Sequence, residues 1–414
     1  MYNLGRSGLT FWSPTINVAR DPRWGRITET PGEDPFVVGT YASNYVRGLQ
    51  DVAGTEHYKD LNTRPLKVAA CCKHFPAYDI DNWHGVHRFH FDARVIEQDL
   101  EESFLRPFEM CVKDGDASSV MCSFNRVNGI PSCADPKLLR ETLRQEWNLH
   151  GYIVADCDSV EVMVTGHKFL NDSNEDVVAQ TLKAGLDLDC EAYYPKYLGN
   201  AVNQGKVRES NIDEALQNLY IVLLRAGYFD GLPAYKALGE NDICTNRSIE
   251  LATQVAREGI TLLKNDGPTL PLNTATFKTL AVVGPHANST VAMIGNYAFD
   301  PKNPAILVSD LQCGEYIELT LVVHNVGGKV GSEVVLVYSK PPDGITGTFL
   351  KQLIGFQRVY IAAGASQEVK FVFNGCKSLG IVDNAGNNIL PFGGHTIIVG
   401  DGVASFPVQV TFHN

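Results

Sequence analysis

The feature that most constrains the fold of this chain is the alternation of short apolar runs with amphipathic helices up to about residue 230. Apolar runs of this length predict buried strands, and the helical periodicity between them predicts crossovers that cover a sheet. The runs lie at 10–18, 67–75, 119–124, 151–156 and 186–189. Strand–helix alternation predicts a parallel sheet, so this part of the chain is expected to be an α/β domain.

The number of runs bears on the architecture of that domain. A closed barrel of eight strands and eight helices needs about 250 residues. Five or six convincing strands are visible, which predicts a (β/α)8-type TIM-like barrel, incomplete at the N-terminus. The start of the chain, 1–6, is polar, so no secretory signal peptide is expected in it.

Sequence signals also predict three helices of this domain. One carries an apolar stripe at four-residue spacing, Ile96, Leu100, Phe104 and Phe108. Another is predicted to open at Asp135-Pro136, an N-cap followed by proline at the first helical position. A third is predicted to start at Ser210, with Asp213 completing a capping box.

The periodicity changes after residue 306. Ile317, Leu319, Leu321 and Val323 alternate with other residues, as do Val369, Phe371 and Phe373. Turn signals separate such runs, at 326–328, 341–344 and 383–386. This pattern predicts a small β-sandwich. We therefore expect a barrel domain at 1–244 and a sandwich at 306–414. Between them, 245–305 is expected to hold a linker helix and a short α/β remnant, which includes a strand at 279–285.

Composition excludes several classes of function. A net charge of −12 argues against binding to nucleic acid or to anionic membranes. No apolar run is long enough for a membrane-spanning helix. The ten cysteines contain no CxxC pair, so no structural zinc site is expected, and in a long chain they do not define a disulfide framework. Cys71 and Cys72 are expected on opposite faces of a strand. Three N-glycosylation sequons give weak support for secretion.

The strongest candidate for chemistry is the acid that ends the 151–156 run. Residues at the carboxyl ends of barrel strands line the active face, which favours Asp156 over Asp158. Asp158-Ser159 is expected to cap the next helix. The alternative is that Asp156 is a helix cap or turn acid. Near fixed cations such an acid is expected to stay ionised and can act as a nucleophile.

Two basic segments could supply those cations. Lys73-His74 lies near the end of the 67–75 run. The charge of a lysine would be costly in a core, so we expect this pair to bind sugar hydroxyls and to support an acid electrostatically. The alternative is a solvated loop. The 20–26 segment holds three arginines and a tryptophan. Its arginines either bind a ligand or form ion pairs with Glu29, Glu33 and Asp34, and both can hold at once.

Histidines at three-residue spacing form a further candidate. His84, His87 and His90 resemble a metal cluster, but helical ligation uses four-residue spacing or a supporting acid, so no metal is expected. A loop lining a pocket is favoured instead, with Trp83 as a platform for stacking against a sugar.

The order of several motifs resembles family 3 glycoside hydrolases. The matching segments are 20–26, 29–35, 73–75, 121–129 and 151–159. The sequence Asp-Cys-Asp at 156–158, Trp83 and the segment 186–190 most resemble those of the β-D-xylosidases of plant cell walls. Some of these enzymes also release α-L-arabinofuranose. The resemblance covers residues 1 to about 298 and resumes in a terminal fibronectin-III-like sandwich.

The resemblance implies roles for residues of this chain. Asp156 inherits the role of nucleophile in a mechanism that retains anomeric configuration. Lys73, His74 and Arg26 inherit contacts to the sugar in the subsite of the released residue. The implied activity is exo-acting β-xylosidase-type hydrolysis of xylan-derived oligosaccharides and arabinosides, without a cofactor. The implied location is extracellular, in the cell wall.

The chain departs from the family pattern between barrel and sandwich. Relatives carry there a large α/β sandwich domain whose loop supplies the acid/base glutamate, and most of it has no counterpart here. Glu315 and Glu318 lie in an alternating strand and do not fit the role. The chain is therefore expected to be a truncated form of such an enzyme, with weak or no hydrolysis of natural oligosaccharides. The alternative is a catalytically inactive sugar-binding or regulatory fragment.

Overall fold

The structure is a computed structural model, and it describes most of the chain. The described residues are 8–55, 57–232, 235–267, 269–273, 275–276, 279–284, 287, 316–343, 345, 349–382, 388–391 and 393–410. The chain divides into two compact units. One combines 10–230 with 305–414, and the other combines 1–9 with 231–304.

A parallel sheet forms the centre of the first domain. Its strands are β1 (Thr10–Phe11), β2 (Ala69–Phe75), β3 (Ser119–Cys122) and β4 (Tyr152–Ala155). They pair in the order β1-β2-β3-β4, and each pair is parallel. A parallel bridge between Val154 and Leu188 continues the sheet beyond β4. The expected parallel α/β arrangement is confirmed, and β2, β3 and β4 are buried along their whole length.

The first and last predicted strands are shorter than expected. The 10–18 run pairs at Thr10–Phe11 and again at Thr15, which bridges to Lys73. Pro14 lies between these points and has no N–H for the ladder, which explains the interruption. The 186–189 run contributes the bridge at Leu188.

Helices connect these strands. Their bounds are α1 Pro35–Gln50, α2 Ser159–Thr165, α3 Asn174–Ala184, α4 Tyr193–Asn203 and α5 Glu209–Arg225, with the helical segments 97–114 and Lys137–Glu146. Short 3₁₀ turns lie at Ile27–Glu29, Ser132–Ala134 and Phe169–Asn171. Short strands lie at Asn82–Trp83, Val86–His87, Asp92–Ala93, Arg126–Val127 and Ile130–Pro131.

The three predicted helices are present. The start at Asp135 is as predicted, and the other two helices start at different residues. In the segment 97–114, Leu100, Phe104 and Phe108 are buried, whereas Ile96 precedes the helix and is exposed. The Asp135 carboxylate accepts the N–H groups of Lys137 and Leu138 at 2.9 and 3.4 Å, as an N-cap should. The Ser210 box is wrong. The helix α5 begins one residue earlier, and the Asn211 side chain accepts the Arg208 N–H instead.

The C-terminal part folds as a β-sandwich, as predicted. Its strands are β5 Tyr316–His324, β6 Gly331–Lys340, β7 Gln352–Ile361, β8 Ser366–Asn374, β9 Gly393–Val399 and β10 Ala404–Val410, with a short helix at Gly375–Leu379 and short strands at Ile381–Val382 and Asn388–Ile389. One sheet pairs β5 with β8, and the other has the order β7-β6-β9-β10. The alternating residues Leu319, Val369, Phe371 and Phe373 lie in the core. The predicted turn at 383–386 lies outside the described residues.

The second unit departs from the sequence prediction. Its helix α6, Asn246–Gly259, is preceded by Thr245, whose side chain accepts the Ser248 N–H, and a 3₁₀ turn lies at Glu240–Asp242. The described part of the predicted strand, 279–284, is not a strand, and Val282 and Val283 are exposed. An apolar run becomes a strand only when a neighbour pairs with it, and no described residue does so here. Most of the remnant up to residue 305 lies outside the described residues.

Disulfides are a feature that the cysteine count did not predict. Three are present among the described residues, Cys72–Cys111, Cys122–Cys133 and Cys157–Cys190. Cys71 and Cys72 do face opposite sides of β2, because Cys71 packs in the cluster around Met121 and Cys72 in the main core. Across the described residues, every helix is too short or too polar to span a bilayer.

A buried ion-pair network joins residues just before β2 and β3 to the end of α5. Asp116 accepts hydrogen bonds from Arg64 at 2.6 Å and from Arg225 at 3.0 Å, and both arginines are buried. The Asp116 side chain is 3 % exposed. Burial raises the pKa of Asp116, but its hydrogen bond with His150 and the charges of the two arginines outweigh burial and hold it below the usual value. The carboxylate therefore stays charged and is shared by the two guanidinium groups, of which that of Arg64 also donates to Asp51 at 2.8 Å.

We expect Asp116→Asn to lower the free energy of unfolding by about 3–5 kcal/mol, because it leaves two buried guanidinium groups short of their counter-charge. Urea denaturation followed by tryptophan fluorescence measures this, since all four tryptophans lie before residue 150. The control is Asp99→Asn, which breaks the partly exposed pair with Arg20 and should cost less than about 1 kcal/mol. Equal effects of the two substitutions would contradict the assignment.

Candidate active site

The candidate site lies where β2 and β4 end. Lys73 and His74 lie near the carboxyl end of β2, and Asp156 follows β4 directly. Because the strands are parallel, their carboxyl ends meet at one edge of the sheet. The structure brings His74 and Asp156 together, with 3.6 Å between Nε2 and Oδ2. The side chains of Lys73 and His74 are both buried.

The two oxygens of the Asp156 carboxylate have different surroundings. Oδ1 accepts the backbone N–H of Cys157 at 2.9 Å. Oδ2 is shielded from solvent and accepts no hydrogen bond from any described residue. The side chain as a whole is 14 % exposed. One oxygen is therefore held in place by a backbone N–H, and the other has no hydrogen-bond donor among the described residues.

Burial and nearby cations act in opposite directions on the ionisation of Asp156. Burial raises its pKa to about 6, against the opposing charges of Lys73, Arg26 and Arg88 and the Cys157 N–H. Loss of water around the carboxylate is the larger effect on the pKa, and the cations oppose it. The cations limit the rise, so most of the carboxylate is still ionised at neutral pH.

His74 is a neutral imidazole in this site. Burial, and then the charges of Arg26 and Lys73, hold the pKa of His74 well below its usual value. Arg26 Nη1, which can only donate, lies 3.2 Å from Nε2, so Nε2 is the acceptor. Nδ1 then carries the proton and faces Asn17 Oδ1 at 3.4 Å. The electrostatic support for Asp156 therefore comes from Lys73 and the arginines, and His74 does not share it.

Asn17 fixes the backbone at the same position. Its side-chain oxygen accepts the His74 N–H at 2.7 Å, and its amide group donates to the His74 carbonyl at 2.7 Å. Asn17 itself is buried. The peptide bond between Lys73 and His74 is cis. The sequence analysis missed Asn17, although its place at the end of the 10–18 run, opposite the end of the 67–75 run, was a signal for it.

Arg26 is both an ion-pair residue and a site residue. Its guanidinium donates to both oxygens of Glu29 at 2.7 Å while it contacts His74. It also lies over the Tyr78 ring, 5.7 Å from the centroid. Burial raises the pKa of Glu29, but the hydrogen bonds and charge of Arg26 outweigh it, so Glu29 stays ionised.

The other two arginines of the motif have structural roles. Arg20 pairs with Asp99 at 2.7 Å, and Arg23 pairs with Asp21. These partners differ from the predicted Glu33 and Asp34: Asp99 is much farther from its arginine in sequence, and Asp21 is only two residues from Arg23. Arg20 and Arg23 therefore hold the scaffold, as interpreted, and a ligand contact by Arg26 stays a prediction.

Trp83 lies on a short hairpin and is 42 % exposed. Arg23 stacks over its ring at 5.3 Å, and the His84 ring meets its edge at 4.5 Å. No described contact joins it to Asp156 or to His74. Its predicted role as a sugar platform therefore stays a prediction.

The three spaced histidines do not form a metal cluster in the described part of the chain. The His84 ring lies against Trp83, and the rings of His87 and His90 are 6.4 Å apart. Among the described residues, Cys157, Cys190 and Glu191 are close enough to hold an ion, but the two sulfurs are joined to each other. They are not available as ligands.

Two further charged residues bear on the site, Arg88 through its charge and Asp158 through its place in the turn after Asp156. Arg88, which the sequence analysis missed, lies over Phe89 and Phe124 at about 5 Å and donates to Asp81 at 3.0 Å. Its charge acts on both Asp156 and His74. Asp158 does stand at the N-cap position of α2, but its side chain makes no capping hydrogen bond, and its backbone φ is +69°.

Comparison with known proteins extends this description. Residues 4–222 match the glycosyl hydrolase family 3 N-terminal domain, and residues 333–403 match a fibronectin type III-like domain. The chain is 50 % identical over 331 residues to "Beta-xylosidase/alpha-L-arabinofuranosidase 1" of Medicago sativa subsp. varia, covering 76 % of this chain and 42 % of that protein. It is 52 % identical over 300 residues to "Beta-D-xylosidase 3" of Arabidopsis thaliana, covering 72 % of this chain and 38 % of that protein. The chain thus spans about two fifths of the length of these relatives.

Solved structures share the fold. A GH3 exo-β-xylosidase (XlnD) in complex with a xylobiose aziridine probe aligns with a TM-score of 0.86 and 22 % identity, over 99 % of this chain and 80 % of that one. A β-glucosidase from Listeria innocua in complex with glucose aligns with a TM-score of 0.77 and 19 % identity, over 98 % of this chain and 81 % of that one. The family match alone covers more than half of the 414 residues, and this chain belongs to glycosyl hydrolase family 3.

Proposed function

We propose that this chain carries the nucleophile and the sugar-binding residues of a retaining, exo-acting glycosidase of the β-xylosidase type. The observation that carries the proposal is the Asp156 carboxylate at the end of β4. Its Oδ1 is held by a backbone N–H, while its Oδ2 accepts no hydrogen bond from the residues that the structure describes. An anion placed in this way, with cations near it, is suited to attack on an electrophilic carbon.

The chemistry has two steps. Oδ2 of Asp156 attacks the anomeric carbon of the sugar, forming a carbon–oxygen bond as the glycosidic bond breaks. The leaving oxygen takes the bonding electron pair and a proton, and water later hydrolyses the ester with the original configuration restored. The developing positive charge on the sugar ring is compatible with the carboxylate beside it, which loses its own charge as the bond forms.

Lys73, Arg26 and His74 are the proposed sugar-binding residues. The ammonium and guanidinium groups donate hydrogen bonds, and hydroxyl oxygens of a sugar accept them. The Arg26 guanidinium is oriented by Glu29, which supports a defined geometry for such contacts. Trp83 is proposed to stack against a sugar ring, which its exposure permits.

The substrate class rests on the relatives. Proteins named as β-xylosidases and β-xylosidase/α-L-arabinofuranosidases share about half of the aligned residues. We therefore propose xylo-oligosaccharides and arabinosides as ligands, with no nucleic acid or membrane partner. Three disulfides support an oxidising compartment, and we propose an extracellular, cell-wall location.

A second candidate is a sugar-binding protein without turnover. Hydrolysis of a sugar–sugar bond needs a protonated carboxyl beside the nucleophile. Glu29 contacts Arg26 near Asp156, and because Arg26 holds it ionised, it cannot supply that proton. The leaving-group experiment below separates the two candidates.

We expect Asp156→Ala to abolish covalent labelling by a 2-fluoro-xyloside with a good leaving group, because the oxygen that forms the ester is gone. Intact-protein mass spectrometry measures the added mass. The matched control is Asp158→Asn, which removes the neighbouring exposed charge, keeps a residue type that accepts the φ of +69° at this position, and should leave labelling in place. Labelling of Asp156→Ala at another residue would contradict the assignment.

The rate of that labelling should rise with pH and reach half of its plateau near pH 6. Only the anion attacks, and the pKa of Asp156 is about 6, so acid protonates the nucleophile and stops the reaction. Lys73→Met removes a charge that lowers this pKa and should move the midpoint to higher pH. A midpoint at or below pH 4 for the unsubstituted chain would show that burial does not govern the carboxylate.

Leaving groups should discriminate strongly. A dinitrophenyl xyloside departs without a proton, so it should release its phenol in a burst, whereas xylobiose should be cleaved slower by roughly 10²–10⁴-fold for lack of acid catalysis. Stopped-flow absorbance and sugar chromatography measure the two. Calorimetric binding of xylobiose with no burst from the aryl xyloside would favour the sugar-binding candidate instead.

A further inference from the structure

We propose that the disulfide Cys157–Cys190 is a positioning device for Asp156, and that it is the one of the three described disulfides that a reductant reaches first in the folded chain. The inference rests on the proposed nucleophile role of Asp156. It concerns how the carboxylate is aimed, which the comparisons with known proteins do not address.

The first argument is the hydrogen bond that orients the carboxylate. The Cys157 N–H is its hydrogen-bond donor at 2.9 Å, and the other oxygen has no described donor. The direction of that N–H therefore decides where Oδ2 points. Anything that restrains the Cys157 backbone restrains the nucleophile.

The loop itself supplies few other restraints. The backbone of Asp156 is fixed at both ends, because its N–H donates to Cys122 at 3.0 Å and its carbonyl accepts from Ser159 at 2.9 Å. Asp158 is exposed, its carbonyl accepts the Val162 N–H at 2.9 Å, its side chain makes no cap bond, and its φ of +69° is a conformation that asparagine and aspartate adopt but most residues avoid. Cys157 lies between these two hydrogen-bonded residues, and its N–H bonds to the Asp156 side chain. The covalent bond from Cys157 is thus a major restraint on this turn.

The other end of the disulfide is well anchored. Leu188 pairs with β4, accepting the Ala155 N–H at 2.9 Å. The Asp189 carboxylate accepts the N–H groups of Tyr193 and Tyr194 at 2.8 and 3.1 Å, which ties it to the start of α4. Cys190 lies between these anchored residues and α4. The disulfide therefore links the turn between Asp156 and Ser159 to the anchored segment that precedes α4.

Exposure separates this disulfide from the others. Cys72, Cys111 and Cys122 are 0 % exposed and Cys133 is 2 % exposed. Cys157 and Cys190 are both partly exposed. Reduction requires a thiolate to reach a sulfur, so the partly exposed bond reacts first.

Reduction has a definite chemical and structural result. A dithiol reagent gives two electrons and two protons to the S–S bond, which becomes two cysteine thiols, and the reagent closes to its own cyclic disulfide. The turn then loses its tether and the Cys157 N–H its fixed direction. Since that N–H lowers the pKa of Asp156, its loss raises the pKa further and misaims Oδ2.

The test compares the oxidised and reduced forms of the whole chain. Dithiothreitol is titrated in, thiols are trapped with iodoacetamide, and peptide mass spectrometry reports which cysteines react. We expect Cys157 and Cys190 to be alkylated before the four buried cysteines. The labelling rate by the 2-fluoro-xyloside should then fall roughly 10–100-fold, the loss expected from misplacing a reacting group by about 1 Å. Reoxidation should restore it.

Two further readouts separate positioning from general loosening. The pH midpoint of labelling should rise on reduction, and the rate should fall in the absence of urea, where the native tryptophan signal shows that the reduced chain is still folded. The double variant Cys157→Ser with Cys190→Ser should match the reduced form and ignore dithiothreitol. An unchanged labelling rate and pH midpoint, or a fall in rate that occurs only with loss of the native tryptophan signal, would overturn the proposal. So would earlier alkylation of a buried pair.

A measurement that does not need labelling keeps the two proposals apart. In protein with ¹³C-labelled aspartate, NMR follows the Asp156 carboxyl, assigned by its loss in Asp156→Asn. Its pKa should rise on reduction whether or not the chain reacts with a xyloside. A pKa that rises in a chain that is never labelled would refute the nucleophile role and support the tether, whereas an unchanged pKa in a chain that is labelled would refute the tether alone.

Discussion

Parallel pairing of β2, β3 and β4 is the constraint from which the site follows. The ends of these strands bring Lys73, His74 and Asp156 to one edge of the sheet, although they lie far apart in sequence. There the carboxylate loses most of its water, and its charge is retained only because fixed cations offset part of that loss. A shift of the β4 register by one residue would turn the Asp156 side chain to the opposite face of the sheet and away from Lys73.

The fold was predictable where an apolar run had neighbours on both sides. The 151–156 run became β4, between β3 and the bridge at Leu188, and the alternating residues of the sandwich became its core. Prediction failed where pairing depends on distant residues. The 279–284 run is as apolar as β4 but has no described strand beside it. Local composition cannot reveal whether a partner exists.

Site residues were predictable as types more than as roles. A lysine, an arginine and an acid near strand ends indicated a charged edge, and the structure places Arg26 and Asp156 there. Sequence distance misled in assigning ion pairs, since Arg20 reaches across the fold to Asp99. The raised pKa of Asp156 was also beyond sequence reasoning, because it depends on how much water surrounds the group. Disulfide pairing needs the distances between cysteines, which only the folded chain supplies.

A chain of hydrogen bonds explains why Oδ2 of Asp156 remains free. Glu29 takes two donors of Arg26 and orients it, and Arg26 then donates to Nε2 of His74. With Nε2 committed as an acceptor, the imidazole proton lies on Nδ1, toward Asn17. His74 therefore cannot donate to Asp156, although its Nε2 is only 3.6 Å away. A donor at that oxygen would stabilise the anion and make it a weaker nucleophile, so the orientation set by Glu29 preserves the basicity on which attack depends.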